Sequence, residues 1–233
     1  SAALAAGRVL CEYAGGVKKL IGDLKFRGRP QAAVYLTWLL TARLQGGRLT
    51  AVDAVVPVPL HAGRLAERGF NQTELIFRPW AEGLGLAWQQ ALTRVRATAP
   101  QWDLEPPARR KNIKGAFAVT RPELVKGKTL LLVDDIVTTG ITLNECARTL
   151  KKSGAAKVFG LAFAGGDVLR VRCAAAIADQ QQLVACLQGI RDGARDGVRG
   201  RAQVGALDGF GQAIERTLEM GCDPVLAHMS PRC

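Results

Sequence analysis

The 233 residues, nearly half of them apolar, can bury one generous domain or one domain with an appendage. No run approaches the roughly eighteen apolar residues of a membrane span, and no basic start, apolar middle and small-residue cleavage site mark a leader, so a cytoplasmic protein without a membrane span is expected. The formal charge is +12, and residues 167–233 carry eight acidic and eight basic side chains, so the whole excess lies before them and suits an anionic partner, nucleic acid or polyphosphate.

The elements follow in chain order. Val17, Leu20, Ile21 and Leu24 recur at helical spacing until Gly28 and Pro30 close the helix. A second helix is expected from about residue 30 to Leu44. Val52 to Val58 reads as a buried strand ending at Pro57 and Pro59, and Gly63 to Leu84 as one long helical segment. Arg94 to Lys114 is polar, basic and marked by Pro100, Pro106 and Pro107, which predicts a long functional loop. Thr129 to Val133 is strand-like, Leu143 to Leu150 gives a helical stripe ending at Gly154, and Val158 to Ala162 is a further strand. Strands alternating with helices predict an α/β fold with a mostly parallel sheet. No lysine follows Lys157, and residues 167–233 read as an extension of unknown role, disordered or partly helical.

The chemistry concentrates in one place. Thr129-Leu130-Leu131-Leu132-Val133 hands Asp134 and Asp135 to the carboxyl end of a strand, where ligands bind in open α/β sheets. Val137-Thr138-Thr139-Gly140-Ile141-Thr142 follows and leads straight into a helix. Backbone N–H groups, threonine hydroxyls and the helix dipole there make a monophosphate pocket, with Gly140 allowing close approach. Twin carboxylates would repel a bare phosphate; they make sense as acceptors for sugar hydroxyls, in a ribose 5-phosphate site.

This run resembles the phosphoribosyl pyrophosphate signature of type I phosphoribosyltransferases. Asp53-Ala54-Val55-Val56-Pro57-Val58-Pro59-Leu60-His61, Arg68-Gly69-Phe70-Asn71-Gln72, Gln101 and Arg109-Arg110-Lys111-Asn112-Ile113-Lys114-Gly115-Ala116-Phe117 extend the likeness to the ComF family of competence proteins, over roughly residues 11–164. The resemblance implies a type I phosphoribosyltransferase fold plus a C-terminal extension, divided into an N-terminal helical or hood segment (1–50), a core (51–166) and the extension (167–233). It implies transfer of phosphoribosyl from phosphoribosyl pyrophosphate to an acceptor, linked to DNA uptake. Mg2+ is the implied cofactor, met by Asp134 and Asp135 indirectly through ribose or water, the same acids holding the ribose hydroxyls. It further implies a pyrophosphate loop near Pro57–Arg64 and a flexible loop within Arg94–Lys114 that closes over the site. Arg64, Arg68, Arg94, Arg96, Arg109, Arg110 and Lys111 are the basic candidates for pyrophosphate. Members often carry a four-cysteine zinc ribbon at the N-terminus; this chain opens at Ser1, is read as a fragment or a trimmed protein, and has Cys11 alone there, so no zinc is expected.

Competing readings are weaker. The six cysteines form no C-x-x-C pair, and His61 and His228 lie too far apart to build a metal site. A P-loop needs a glycine where Pro122 stands before Gly127-Lys128-Thr129, and a receiver domain needs a later lysine. A binding module for single-stranded DNA is the alternative function, although Trp38, Trp80, Trp88 and Trp102 are few for a stacking groove. Asn71 and Gln72 are read either as local caps or as ligand contacts. Competence-machinery proteins and a second copy of the chain complete the expected partners.

Overall fold

The computed structural model describes residues 3–44, 52–96 and 112–165. Five parallel strands form the main sheet: β1 (Ala6–Glu12), β2 (Ala54–Pro57), β3 (Ala87–Trp88), β6 (Thr129–Val137) and β7 (Lys157–Gly165), in the order β1-β7-β6-β2-β3. A second, antiparallel pair joins β4 (Leu92–Arg94) to β5 (Phe117–Val119). The helices are α1 (Gly15–Phe26), α2 (Ala32–Arg43), α3 (Ala62–Arg68), α4 (Gln72–Gly83) and α5 (Ile141–Lys152).

The apolar run of β6 is buried on both sides, as a central parallel strand must be. Leu131 and Val133 pack with α1, α2 and α4, together with Val55, Phe159, Leu161 and Phe163. Leu130 and Leu132 face the other way, against Leu143, Cys146 and Leu150 of α5 and Phe117 of β5. This alternation sets the directions of the acids at the strand's end.

Three features depart from the sequence reading. First, β1 was not expected: Ala6-Gly7-Arg8-Val9-Leu10-Cys11-Glu12 has no clean alternation, and pairing along β7 supplies its hydrogen-bonding partner. Second, the segment 63–84 is two helices. Gly69 adopts φ +80° and ends α3, and the Asn71 side chain accepts from the Thr73 N–H to start α4. Third, β6 runs to Val137, so Asp134 and Asp135 lie within its last turn of pairing.

Pro79 sits inside α4 and cannot donate to the Leu75 carbonyl four residues back. The Thr37 hydroxyl of α2 donates to the carbonyls of Ile76, at 2.8 Å, and Leu75, at 3.4 Å, which satisfies that stretch from outside the helix. No helix among the described residues is long and apolar enough to cross a membrane.

Gly165 closes β7 beside the end of β6. A Cβ there would stand 3.0 Å from the Val137 carbonyl oxygen and 3.1 Å from a Val9 methyl. Gly165→Ala is therefore expected to lower stability by about 1–3 kcal/mol, the scale of overpacking, measured by urea denaturation.

Candidate functional site

The site lies at the carboxyl ends of β2 and β6, next to the start of α5. Successive residues of a strand point to opposite faces. Asp135 therefore continues the Leu131–Val133 face toward α1, where the Lys25 ammonium lies 2.6 Å from Asp135 Oδ2. The pair is nearly closed to water, with side-chain exposures of 16% for Lys25 and 4% for Asp135. Asp135 Oδ1 accepts from the Ile136 N–H at 2.8 Å.

Asp134 precedes Asp135 on β6, and the two carboxyls lie close enough to act on each other. Asp134 Oδ1 accepts from the Asp135 N–H at 2.9 Å and, loosely, from the Thr73 hydroxyl at 3.5 Å. Burial pushes the Asp134 carboxyl well above the usual carboxylate range and the adjacent Asp135 pushes it further, against the pull of Lys25. Cys146 of α5 lies within range of the Asp134 charge; burial pushes its thiol well up, so it forms a neutral wall.

The loop that follows has the shape of an anion cradle. Thr138 and Thr139 are exposed, Gly140 is buried at φ +71°, and it begins α5 without a side-chain cap. The Asn144 N–H closes the first helical bond onto the Gly140 carbonyl. The first turn of α5 carries no acidic side chain, so nothing on the helix competes there with an incoming anion. Ile141 and Thr142, half-buried, complete the first turn.

Three of the predicted basic residues converge on this place. Arg68, half-buried at the end of α3, feels the Asp135 charge and donates to Gln72 Oε1 at 2.6 Å; burial and Arg64 pull its guanidinium down. Arg94 at the end of β4 is brought beside the β2 loop by a bridge to His61. It is also pulled down by burial, with Cys146, Arg64 and Asp134 within electrostatic reach. Arg64 is exposed and lies near both of them.

Arg96 does not join them. Its guanidinium donates to the Asn112 and Lys114 carbonyls, both at 2.8 Å, and so ties together the two sides of the β4–β5 ribbon. Glu145 of α5 assists by accepting from the Gly115 N–H at 2.9 Å. Arg109, Arg110, Lys111 and Gln101 lie outside the described residues. Asn71 and Gln72 are engaged locally: Asn71 caps α4 and donates to the Val58 carbonyl, while Gln72 receives Arg68.

Sequence reasoning missed Lys25. The signal was there: it follows Leu24 and lies four residues after Ile21, on the flank of a stripe that packs into the core.

Among the described residues no group of three or more His, Cys, Asp or Glu could hold a metal by itself. Two acids on one strand end are too few to hold a metal alone and would suit only a hard cation that takes most of its ligands from water and phosphate, the habit of Mg2+.

Residues 90–185 match the phosphoribosyl transferase domain family, a span that takes in the acidic pair and the Thr138–Gly140 loop. The DNA utilization protein YhgH of Escherichia coli (strain K12) is 40% identical over 154 residues, covering 64% of this chain and 67% of that protein. The chain belongs to the ComF family. Competence protein F of Haemophilus influenzae is 38% identical over 120 residues, 49% of this chain and 52% of that one. A glutamine phosphoribosylpyrophosphate amidotransferase from B. subtilis aligns with a TM-score of 0.38 and 17% identity over 60% of this chain and 30% of that one. The chain spans about two thirds of the length of the YhgH relatives. This ComF-family member thus has a phosphoribosyltransferase fold and is related to competence proteins.

Because folding raises the Asp134 pKa, the folded protein holds that proton more tightly than the unfolded chain. The corresponding stability is full below the ordinary carboxylate range and is lost as pH rises through the raised value. Asp134→Asn is expected to melt a few degrees higher than wild type at pH 7 and to flatten that decline, read from melting temperatures at several pH values.

Proposed function

We propose that this protein binds a 5-phosphoribosyl donor, phosphoribosyl pyrophosphate with Mg2+, at the end of β6 and transfers the phosphoribosyl group to an acceptor. One observation carries the reading: a half-buried carboxyl, Asp134, stands near the end of β6 before a bend whose helix start has no side-chain cap and no acidic side chain.

The 5-phosphate is received by the N–H groups of residues 138–142 and by the exposed hydroxyls of Thr138 and Thr139. Asp134 accepts from the ribose hydroxyls, and its charge favours the oxocarbenium-like state at the anomeric carbon as the bond to pyrophosphate breaks. Arg64, Arg68 and Arg94 supply positive charge where the leaving group gathers negative charge. Asp134 and Asp135 would hold Mg2+ indirectly, through ribose or water, and the ion would supply charge neutralisation at that leaving group. A bond from the acceptor's nucleophilic atom to the anomeric carbon completes the exchange.

The relatives' names, DNA utilization and competence, support placing this step in DNA handling. A DNA-binding module without turnover would show oligonucleotide affinity that falls steeply with salt and ignores the donor. Trp80 is no stacking platform, since it is buried edge-on against Phe77 at 6.2 Å.

Calorimetric titration with phosphoribosyl pyrophosphate and Mg2+ should show saturable, Mg2+-dependent binding. Asp134→Asn should weaken it by about 2 kcal/mol or more, the scale for losing one charged contact in a closed site. Equal affinity in the two proteins would remove Asp134 from the donor site.

A further inference from the structure

The outward face of α1 takes no part in the proposed transfer. Leu20, Ile21 and Leu24 bury one side of the helix in the core, and Gly15, Lys18, Lys19, Gly22 and Phe26, at three- and four-residue spacing, fall on the other. With Arg27 they line a groove of about 470 Å³. Phe26 is 78% exposed, and no other aromatic side chain among the described residues is left so open. One exposed apolar ring is ordinary on a protein surface. This one has Arg27 beside it and Lys18 and Lys19 two turns back, about 12 Å along the helix axis. The Asp23 carboxylate, which also lines the groove, is buried and offset by Arg27 at 3.0 Å and Arg29 at 3.6 Å.

Gly22 sits in the interior of α1, where glycine is less favourable than alanine. Its backbone is not left-handed, and a Cβ there would meet nothing within 4 Å, so neither a turn nor close packing calls for a glycine. What the missing side chain provides is bare backbone between the lysines and the ring. We propose that this groove binds single-stranded nucleic acid: a base stacks on Phe26, the strand lies over Gly22, and Lys18, Lys19 and Arg27 meet its phosphates. Cations at both ends of the groove suit the repeated phosphates of a strand better than the one phosphate of a mononucleotide. A duplex keeps its bases stacked inside and offers Phe26 no face. The inference does not depend on the phosphoribosyl reading.

Fluorescence anisotropy with a short labelled oligothymidylate, over about 50–200 mM salt, tests this on the full chain. Wild type is expected to bind saturably. Phe26→Ala is expected to weaken binding at least about fivefold, the low end of what one stacked base contributes, and Phe26→Trp to stay within about threefold of wild type. Lys18→Gln with Lys19→Gln should lower the slope of log Kd against log salt by about 1–2. Lys151→Gln with Lys152→Gln, the same charge removed from the exposed end of α5, should change it by less than about half a unit. Gly22→Leu is expected to melt no lower than wild type yet bind at least about threefold more weakly, a split that damage to the fold does not produce. A Phe26→Ala protein that binds like wild type, or equal slope changes from the two lysine pairs, reduces the face to surface charge and overturns the proposal. Displacement of the strand by an equal concentration of thymidine 5′-monophosphate marks a mononucleotide site, and a duplex bound as tightly removes the stacked base; either overturns it. Wild-type protein that binds no oligonucleotide overturns it outright and leaves the donor titration to be judged by itself.

Discussion

A carboxylate at the end of a buried parallel strand must be given a cation or lose its charge, and the tip of β6 carries two in succession. The two carboxyls lie close enough to act on each other, and both feel Lys25. Asp135 is satisfied internally by Lys25, which couples α1 to the central strand. Asp134 is buried enough, beside Asp135, for its proton affinity to rise. Perturbed carboxylates of this kind concentrate at ligand sites.

The neighbourhood of that strand end reconciles two opposing electrostatic demands. Acids repel phosphate, yet the bend after them opens a helix whose first turn carries no acidic side chain. The structure separates the functions along a few residues: carboxylates inside the last stretch of β6, then the positive-φ Gly140, then the unneutralised start of α5. Arg64, Arg68 and Arg94 arrive from α3 and β4, two elements far apart in sequence, and balance the local charge from the opposite side. Part of the chain's excess of positive charge is therefore gathered around the acidic end of β6.

Several residues hold this arrangement in place without taking part in the proposed chemistry. Gly165 lets β7 run close against the Val137 carbonyl. Arg96 and Glu145 fasten the base of the β4–β5 ribbon through backbone carbonyls and the Gly115 N–H, so that Arg94 enters the site from a fixed stem. Thr37 steadies α4, whose Thr73 reaches Asp134, by serving the carbonyls around Pro79.

By itself the sequence determined the elements whose signals are local: the apolar runs of β2, β6 and β7, the stripes of α1 and α5, and the acidic pair leading into Thr138-Thr139-Gly140. Those signals survive because a doubly buried strand needs an unbroken apolar run, and a helix start after a tight bend needs a residue tolerant of positive φ. The tertiary structure decided what depends on partners distant in sequence. β1, β3 and β4 are too short or too mixed to declare themselves and exist by pairing with β7, β2 and β5. Arg68 and Arg94 look alike to Arg96 in sequence, yet burial sends the first two to the acids and the ribbon claims the third. Lys25 reads as one surface charge among many until α1 packs on β6 and leaves it facing Asp135. A side chain's charge is written in the sequence, but which opposite charge it is buried against depends on how the helices are laid over the sheet.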